Sequence, residues 1–255
     1  MSKFFFRCDI ILGGDTMLIL KNLQVKINDK IILKDINLNI NKGEIHTLMG
    51  PNGVGKSTLG KVIMGLSNYE VKGSIEFNKQ IIDDLNVTER SRLGIFLLDQ
   101  NPIAIEGVTN AEMLRMVTSQ TKEYEPIFDF YDRLKKICQK IDLDETFINR
   151  HINEGMSGGE RKKNELLHMY VLEPSLIIFD EIDSGLDVDS LKTVCKAINE
   201  YLKTHEASAL IITHHQNILK YIKPHYVHIL KEGSIVKSGD ATLAHKIEND
   251  GFEGI

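Results

Sequence analysis

Two stretches near the start of the chain, Leu18–Ile27 and Ile32–Ile40, alternate apolar and polar residues with the two-residue period of a half-buried strand. The residues between them, Asn28, Asp29 and Lys30, favour turns, so the pair reads as an antiparallel hairpin. Glu44–Met49 is a shorter apolar strand running into a glycine-rich loop, after which Lys56–Met64 has helical character. Gly73–Asn78 and Ile95–Leu98 read as further strands. From about Asn101 to Glu154 the pattern turns helical. Pro126 precedes Ile127, Phe130, Tyr131, Leu134, Ile137, Cys138 and Ile141, a stripe at i, i+3, i+4, i+7 spacing. Leu176–Phe179 and Ala209–Thr213 are short and continuously apolar, as parallel strands covered on both faces must be. Between them Leu191, Val194, Cys195, Ile198 and Leu202 mark one helix face. Tyr226–Leu230 and Ser234–Lys237, split by Glu232 and Gly233, read as a closing hairpin. The order β, then β-α-β, then a helical insertion, then β-α-β predicts one α/β domain with an inserted lobe.

Composition adds mainly exclusions. Of 255 residues 42% are hydrophobic, enough for a sizeable core. Yet no apolar run approaches the roughly 18 residues of a spanning helix, so direct membrane insertion is not expected. Thirty-one basic against 36 acidic residues leave a net charge of −5, which argues against nucleic acid as the dominant partner. The three cysteines, Cys8, Cys138 and Cys195, are widely spaced with no CxxC pair. That argues against a disulfide framework or a zinc site and fits a reducing compartment best. Cys138 and Cys195 fall on apolar helix faces and read as core. The opening stretch Met1–Thr16 holds Phe4, Phe5 and Phe6 but lacks a secretory cleavage pattern. It reads as a disordered or edge-packed tail, with the remnant of an organelle leader as the alternative.

The chemistry concentrates in three places. Gly50-Pro51-Asn52-Gly53-Val54-Gly55-Lys56-Ser57-Thr58 is a complete G-x-x-x-x-G-K-[ST] loop between a predicted strand and a predicted helix. Small residues let successive backbone N–H groups turn toward a triphosphate at a helix N-terminus whose dipole favours anions. Lys56 supplies a mobile cation for the β- and γ-phosphates, and the Ser57 hydroxyl suits Mg²⁺. Leu176–Phe179 ends in Asp180 and Glu181, at the strand end where open α/β sheets bind ligands. Asp180 suits a Mg²⁺ shell, and Glu181 suits a general base or water-orienting group. Met156-Ser157-Gly158-Gly159-Glu160 is a capping box by its S-x-x-E spacing. Two glycines in a first helical turn are poor helix formers, however, and make sense if another group must approach the backbone closely. Since the chain already has one phosphate loop, this second anion site suits a nucleotide held by another subunit.

Taken in order, the phosphate loop, Gln100 after a strand, Ser157-Gly158-Gly159-Glu160, Asp180-Glu181, Ser184-Gly185-Leu186-Asp187 and Thr213-His214 resemble an ABC-type ATPase nucleotide-binding domain from Leu18 onward. The fold this implies is α/β, a RecA-like P-loop core with an antiparallel β subdomain and an inserted helical subdomain. The domain is expected over 18–245, with core 18–100 and 166–245 and helical insertion 101–165, flanked by an extension 1–17 and a tail 246–255. The resemblance implies hydrolysis of ATP and water to ADP and phosphate by a head-to-tail dimer with Mg²⁺. It makes Gln100 a sensor of metal and γ-phosphate, Ser157–Glu160 the signature clamping ATP across the dimer, Asp187 part of the crossing D-loop, and His214, rather than His215, the γ-phosphate histidine.

Segments outside these motifs resemble the SufC branch of the family, the ATPases of SUF iron–sulfur cluster assembly. They include Asn68-Tyr69-Glu70-Val71, Arg161-Lys162-Lys163-Asn164-Glu165, Leu172-Glu173-Pro174, Tyr221-Ile222-Lys223-Pro224, Tyr226-Val227-His228 and Ile235-Val236-Lys237-Ser238-Gly239-Asp240. That branch implies SufB- and SufD-like scaffold partners met around Gln100–Thr118, and a cytoplasmic or plastid-stromal location. A transporter's ATP-binding subunit shares every nucleotide motif and stays open as the alternative. A non-enzymatic module is disfavoured by the presence of both Glu181 and His214. The chain departs from the pattern in having no aromatic near Asp29–Leu33 and in placing Asp99 before Gln100.

Overall fold

Residues 15–66, 69–121, 124–214 and 217–251 are described by the computed structural model. The opening tail with Cys8, and Asn68 and His215, lie outside the described residues.

The long strands β1 (Thr16–Ile27) and β2 (Lys30–Asn41) pair antiparallel, with Leu18 opposite Ile40 and Leu20 opposite Leu38. Their connection is shorter than the sequence pattern suggested. Asn28 and Asp29 alone make the turn at φ of 45° and 65°, so Lys30 already belongs to β2. Asn and Asp tolerate that left-handed conformation better than other side chains, and two such residues match the twist of a tight hairpin. Strands β4 (Glu70–Phe77) and β5 (Gln80–Ile81) extend this sheet in the order β2-β1-β4-β5.

The second sheet runs β12-β11-β3-β10-β9-β6. Its strands are β3 (Ile45–Met49), β6 (Ile95–Leu98), β9 (Leu176–Asp180), β10 (Ser208–Ile212), β11 (Tyr226–Lys231) and β12 (Ser234–Gly239). All adjacent pairs are parallel except β11 with the edge strand β12. Every residue of β9 and β10 is buried, which accounts for their unbroken apolar sequences. Ile178 and Ile212 pack into a core with α1 (Lys56–Met64) and the inner face of the antiparallel sheet. Ile177, Phe179 and Ile211 point the other way, onto α5 (Gly158–Leu172) and α6 (Val188–His205). Gly60 lets α1 sit close to the sheet: a Cβ there would lie 3.0 Å from Ile178 Cγ2 and 3.1 Å from Ile212 Cδ1.

The segment expected to be helical is only partly so. The short helix α2 (Val87–Arg92) precedes it, and α3 (Asn110–Thr121) and α4 (Ile127–Lys140) lie within it. It also contains two strands, β7 (Ile105–Thr109) and β8 (His151–Ile152), that pair antiparallel. In α4 the predicted stripe buries Phe130, Leu134, Ile137 and Cys138, but Ile127 in its first turn is 49% exposed. The helix α7 (Ala241–Asp250) packs its Leu243, Ala244 and Ile247 against β11. Cys138 and Cys195 are free and buried as expected, and burial pushes their thiols up to about 11 and about 12.

A polar chain runs from Glu44, just before β3, through buried His46 and His228 of β3 and β11 to Ser238 of β12. The Glu44 carboxylate accepts from His46 Nε2 at 3.0 Å, His46 Nδ1 meets His228 Nε2 at 2.9 Å, and His228 Nδ1 meets Ser238 Oγ at 2.8 Å. Each link has one donor and one acceptor when both imidazoles are neutral and the serine donates. Burial lowers both histidines, His228 to about 3, with His46 beside it adding to that shift. The unfolded chain therefore binds more protons than the folded one below the ordinary histidine value of about 6.5, and stability falls as pH drops through that range. Urea unfolding at pH 5.5 should give a free energy about 1–3 kcal/mol lower than at pH 7.5. Equal values at the two pH values would reject the neutral chain.

Candidate functional site

The phosphate loop joins β3 to α1 at the carboxyl end of the parallel sheet, the expected end. Gly53 and Gly55 have φ of 79° and 104°, conformations a side chain would resist. A Cβ on Gly50 would collide with the Leu230 carbonyl of β11, so the loop can start only with glycine. Lys56 folds back over the loop, its Nζ donating to Gly50 O at 2.8 Å and Pro51 O at 2.9 Å. Burial lowers its pKa, opposed by the Glu181 and Asp180 carboxylates.

Ser57 Oγ donates to Asp180 Oδ1 at 2.9 Å, joining the first turn of α1 to the end of β9. Asp180 is buried, and its carboxyl is pushed up to about 6, chiefly by burial and further by the charges of Asp99 and Glu181. Its Oδ2 has no hydrogen-bond partner. A buried carboxylate oxygen without a partner, beside a serine hydroxyl, is a hard-oxygen donor set that fits Mg²⁺.

One residue further on, Glu181 leaves the strand at φ 48° with its N–H tied to Ile212 O. Gln100 Nε2 donates to Glu181 Oε2 at 2.5 Å, and His214 Nδ1 meets Glu181 Oε1 at 2.8 Å. Three residues separated by 81 and 33 positions in sequence thus meet on one carboxylate. Thr213 Oγ1 donates to both oxygens of Asp183, at 3.2 and 3.1 Å, fixing the loop after β9 against the end of β10.

The remaining expected residues sit apart from this cluster. Ser157 is the N-cap of α5, accepting from Glu160 N at 3.3 Å while Glu160 Oε2 accepts from Ser157 N at 2.7 Å. Asp187 caps α6 by accepting from Ser190 N at 2.7 Å. The nearest atoms to a Cβ built at Gly158 or Gly159 are Gly185 O at 3.6 Å and Leu186 Cδ2 at 3.7 Å, ordinary contact distances. The chain's own packing therefore does not require glycine at either position, and Gly158 is exposed. Lys162 was missed by sequence reasoning. It is buried on α5 and donates to the carbonyls of Asp99 and Gln100, 3.2 Å each, tying the segment before β7 to the signature helix. Among the basic run Arg161-Lys162-Lys163, only the helical phase, which turns Lys162 inward, distinguished it.

A family model described as ABC transporter matches residues 33–184. The chain belongs to that family and carries its ATPase domain. A probable ABC transporter ATP-binding protein of Streptococcus pyogenes serotype M18 is 47% identical over 94% of this chain and 95% of its own. A probable ATP-dependent transporter, ycf16, of Antithamnion sp. is 46% identical over 93% of this chain and 96% of its own. Among solved structures, an ATP-binding subunit of an ABC transporter superposes with a TM-score of 0.76 at 27% identity, covering 94% of this chain and 95% of that one. The dimeric bacterial cassette MJ0796 gives 0.77 at 22% identity over 88% of this chain and 98% of that one, a likeness of fold.

Proposed function

We propose that the chain is the ATP-hydrolysing subunit of a SUF-type iron–sulfur cluster assembly complex, in the cytoplasm or a plastid stroma. The observation that carries the branch is sequence likeness away from the triphosphate. Tyr226-Val227-His228 and Ile235–Asp240 resemble the SufC pattern, and they are joined to each other by the part-buried His228–Ser238 contact.

In this reading the loop N–H groups and Lys56 take the β- and γ-phosphates, Lys56 releasing the carbonyls of Gly50 and Pro51. Ser57, Asp180 and Gln100 would hold Mg²⁺, which would neutralise charge on the phosphate oxygens. Gln100 and His214 fix the two oxygens of Glu181, so that one can accept the proton of an attacking water. His214 then lies beside the γ-phosphate. Ser157–Glu160 serve a triphosphate on a second copy, because their glycines, Gly158 of them exposed, answer no packing need within the chain. Asp187 follows at the same face. ATP thereby joins two copies, hydrolysis frees them, and the motion passes to SufB- and SufD-like scaffolds. Ile103, Ile105 and Met116, exposed at 80, 45 and 57% within 100–118, are the apolar surface offered to such scaffolds.

A transporter's ATP-binding subunit is the second reading, favoured by the names of the relatives. Affinity capture of the full chain from native lysate separates the two. SufB- and SufD-like proteins should co-purify, with recovery reduced at least tenfold by Ile103→Asp. Recovery of a multi-spanning membrane protein instead would decide for the transporter.

A further inference from the structure

The carboxyl end of β6 carries an acid that the nucleotide motifs do not include. β6 and β9 run parallel with Leu98 opposite Phe179, so the next residues, Asp99 and Asp180, follow side by side. Side chains alternate across a strand. Ile95 and Leu97 pack with Ile178 on the α1 face and Leu98 packs with Phe179 on the other, which returns Asp99 to the α1 face beside Asp180. An ion pair follows from that placement: Lys61 Nζ on α1 lies 3.4 Å from Asp99 Oδ2. Ser57 and Lys61 stand one turn apart on α1, so one helix face donates Ser57 Oγ to Asp180 and presents Lys61 to Asp99. Asp99 Oδ1 also accepts from Asn101 N at 3.0 Å, and the Asp99 carbonyl accepts from buried Lys162.

We propose that Asp99 strengthens the hold of this site on a divalent cation, through its charge and through the waters the cation keeps. The inference rests on reading Ser57, Asp180 and Gln100 as the metal donors. It adds a residue at a position where the chain departs from the family pattern. Carboxylates side by side repel, and Glu181 makes a third negative group nearby. Burial, then the charges of Asp99 and Glu181, push the Asp180 carboxyl up to about 6, against the opposing pull of Ser57 and Lys61. Asp180 is 1% exposed, and its Oδ2 has no hydrogen-bond partner. A hard cation both relieves the repulsion and satisfies that oxygen. Mg²⁺ gives up its waters reluctantly, so an acid beyond direct reach can still accept hydrogen bonds from them. Lys61 supplies one positive charge where the cation brings two. The Lys61–Asp99 pair, with side chains 33 and 31% exposed, adds little to stability by itself. Asp99 therefore matters to the cation more than to the fold.

The test loads the full chain with a non-hydrolysable ATP analogue, titrates it with Mn²⁺ and reads free metal by electron paramagnetic resonance. Asp99→Asn should raise the Mn²⁺ Kd about tenfold, a moderate effect because solvent partly screens the carboxylate. Asp99→Glu should restore most of the loss. Without metal, Asp99→Asn should bind the analogue at least as tightly as wild type, since removing a negative group favours an anion, and this binding also reports that the variant is folded. Lys61→Met breaks the same ion pair but should tighten Mn²⁺ about threefold, because it removes a competing positive charge. That difference in sign separates the charge of Asp99 from a merely structural pair, whose loss would weaken the metal equally from either side. An Asp99→Asn Kd within about twofold of wild type would overturn the proposal, being far below the field effect expected of a neighbouring charge. So would Lys61→Met weakening Mn²⁺ as much as Asp99→Asn does. An Asp180→Asn variant that binds Mn²⁺ like wild type would instead overturn the metal reading on which the proposal stands.

Discussion

Glu181→Gln retains ATP but turns it over about a hundred- to ten-thousandfold more slowly, the range attributable to one positioned general base. The substitution preserves the local geometry. Glutamine keeps a carbonyl oxygen to accept from Gln100 and gains an amide that can donate to His214, so both neighbours stay satisfied. What is lost is a proton acceptor. With ATP and Mg²⁺ the variant should accumulate as stable dimers, visible in sedimentation velocity, because the triphosphate joining two copies persists. Single-turnover hydrolysis within fivefold of wild type would remove Glu181 from the chemistry. Rapid dimer dissociation in ATP would remove the triphosphate from the interface.

The second large effect is expected at Lys56. Its ammonium is the buried positive group amid the Gly50 and Pro51 carbonyls and the neighbouring carboxylates of Asp180 and Glu181. Lys56→Ala leaves those negative and dipolar groups facing an anion uncompensated. Truncating one partner of a buried charge pair costs about 2–5 kcal/mol, which corresponds to a rise of roughly 30- to 5,000-fold in Kd for ATP. Titration with a fluorescent ATP analogue measures it. Unfolding in urea should change far less, since the substitution falls in a loop-proximal first turn whose packing is carried by Leu59, Val62 and Ile63. Wild-type affinity in the variant would move the triphosphate away from this loop.

The central sheet was legible because its physics is local. β9 and β10 are buried on both faces, so nothing polar interrupts them, and the phosphate loop announces itself through glycines that its own turns require. The carboxylate cluster was legible as residue types at strand ends, but the hydrogen bonds from Gln100 and His214 to Glu181 were not, because they join points far apart in sequence. The β7–β8 pair escaped for a different reason. β8 is two residues long, and its pairing with β7 shifts register between Ile105 and Thr109, so no alternation develops to be read. Ile127 escaped because helical spacing specifies a stripe without its limits; in the first turn of α4 that stripe has run past the edge of the core. Asn28 and Asp29 were read as a turn, yet the turn's length depended on backbone angles that composition alone does not set.

The capping of α5 restricts what can stand at its head. The Ser157 oxygen receives the Glu160 amide, so the cap itself makes no use of the hydroxyl hydrogen. On the proposed contact with a second copy's triphosphate, aspartate would cap the helix equally well but bring a negative charge to that anion, and asparagine would swap a rotating hydroxyl for a planar amide. Alanine would lose both roles together. On that proposal a position that tolerates four residue types in most helices is narrowed to a hydroxyl, and measurements on substitutions there would mix folding with ligand capture unless stability is determined alongside.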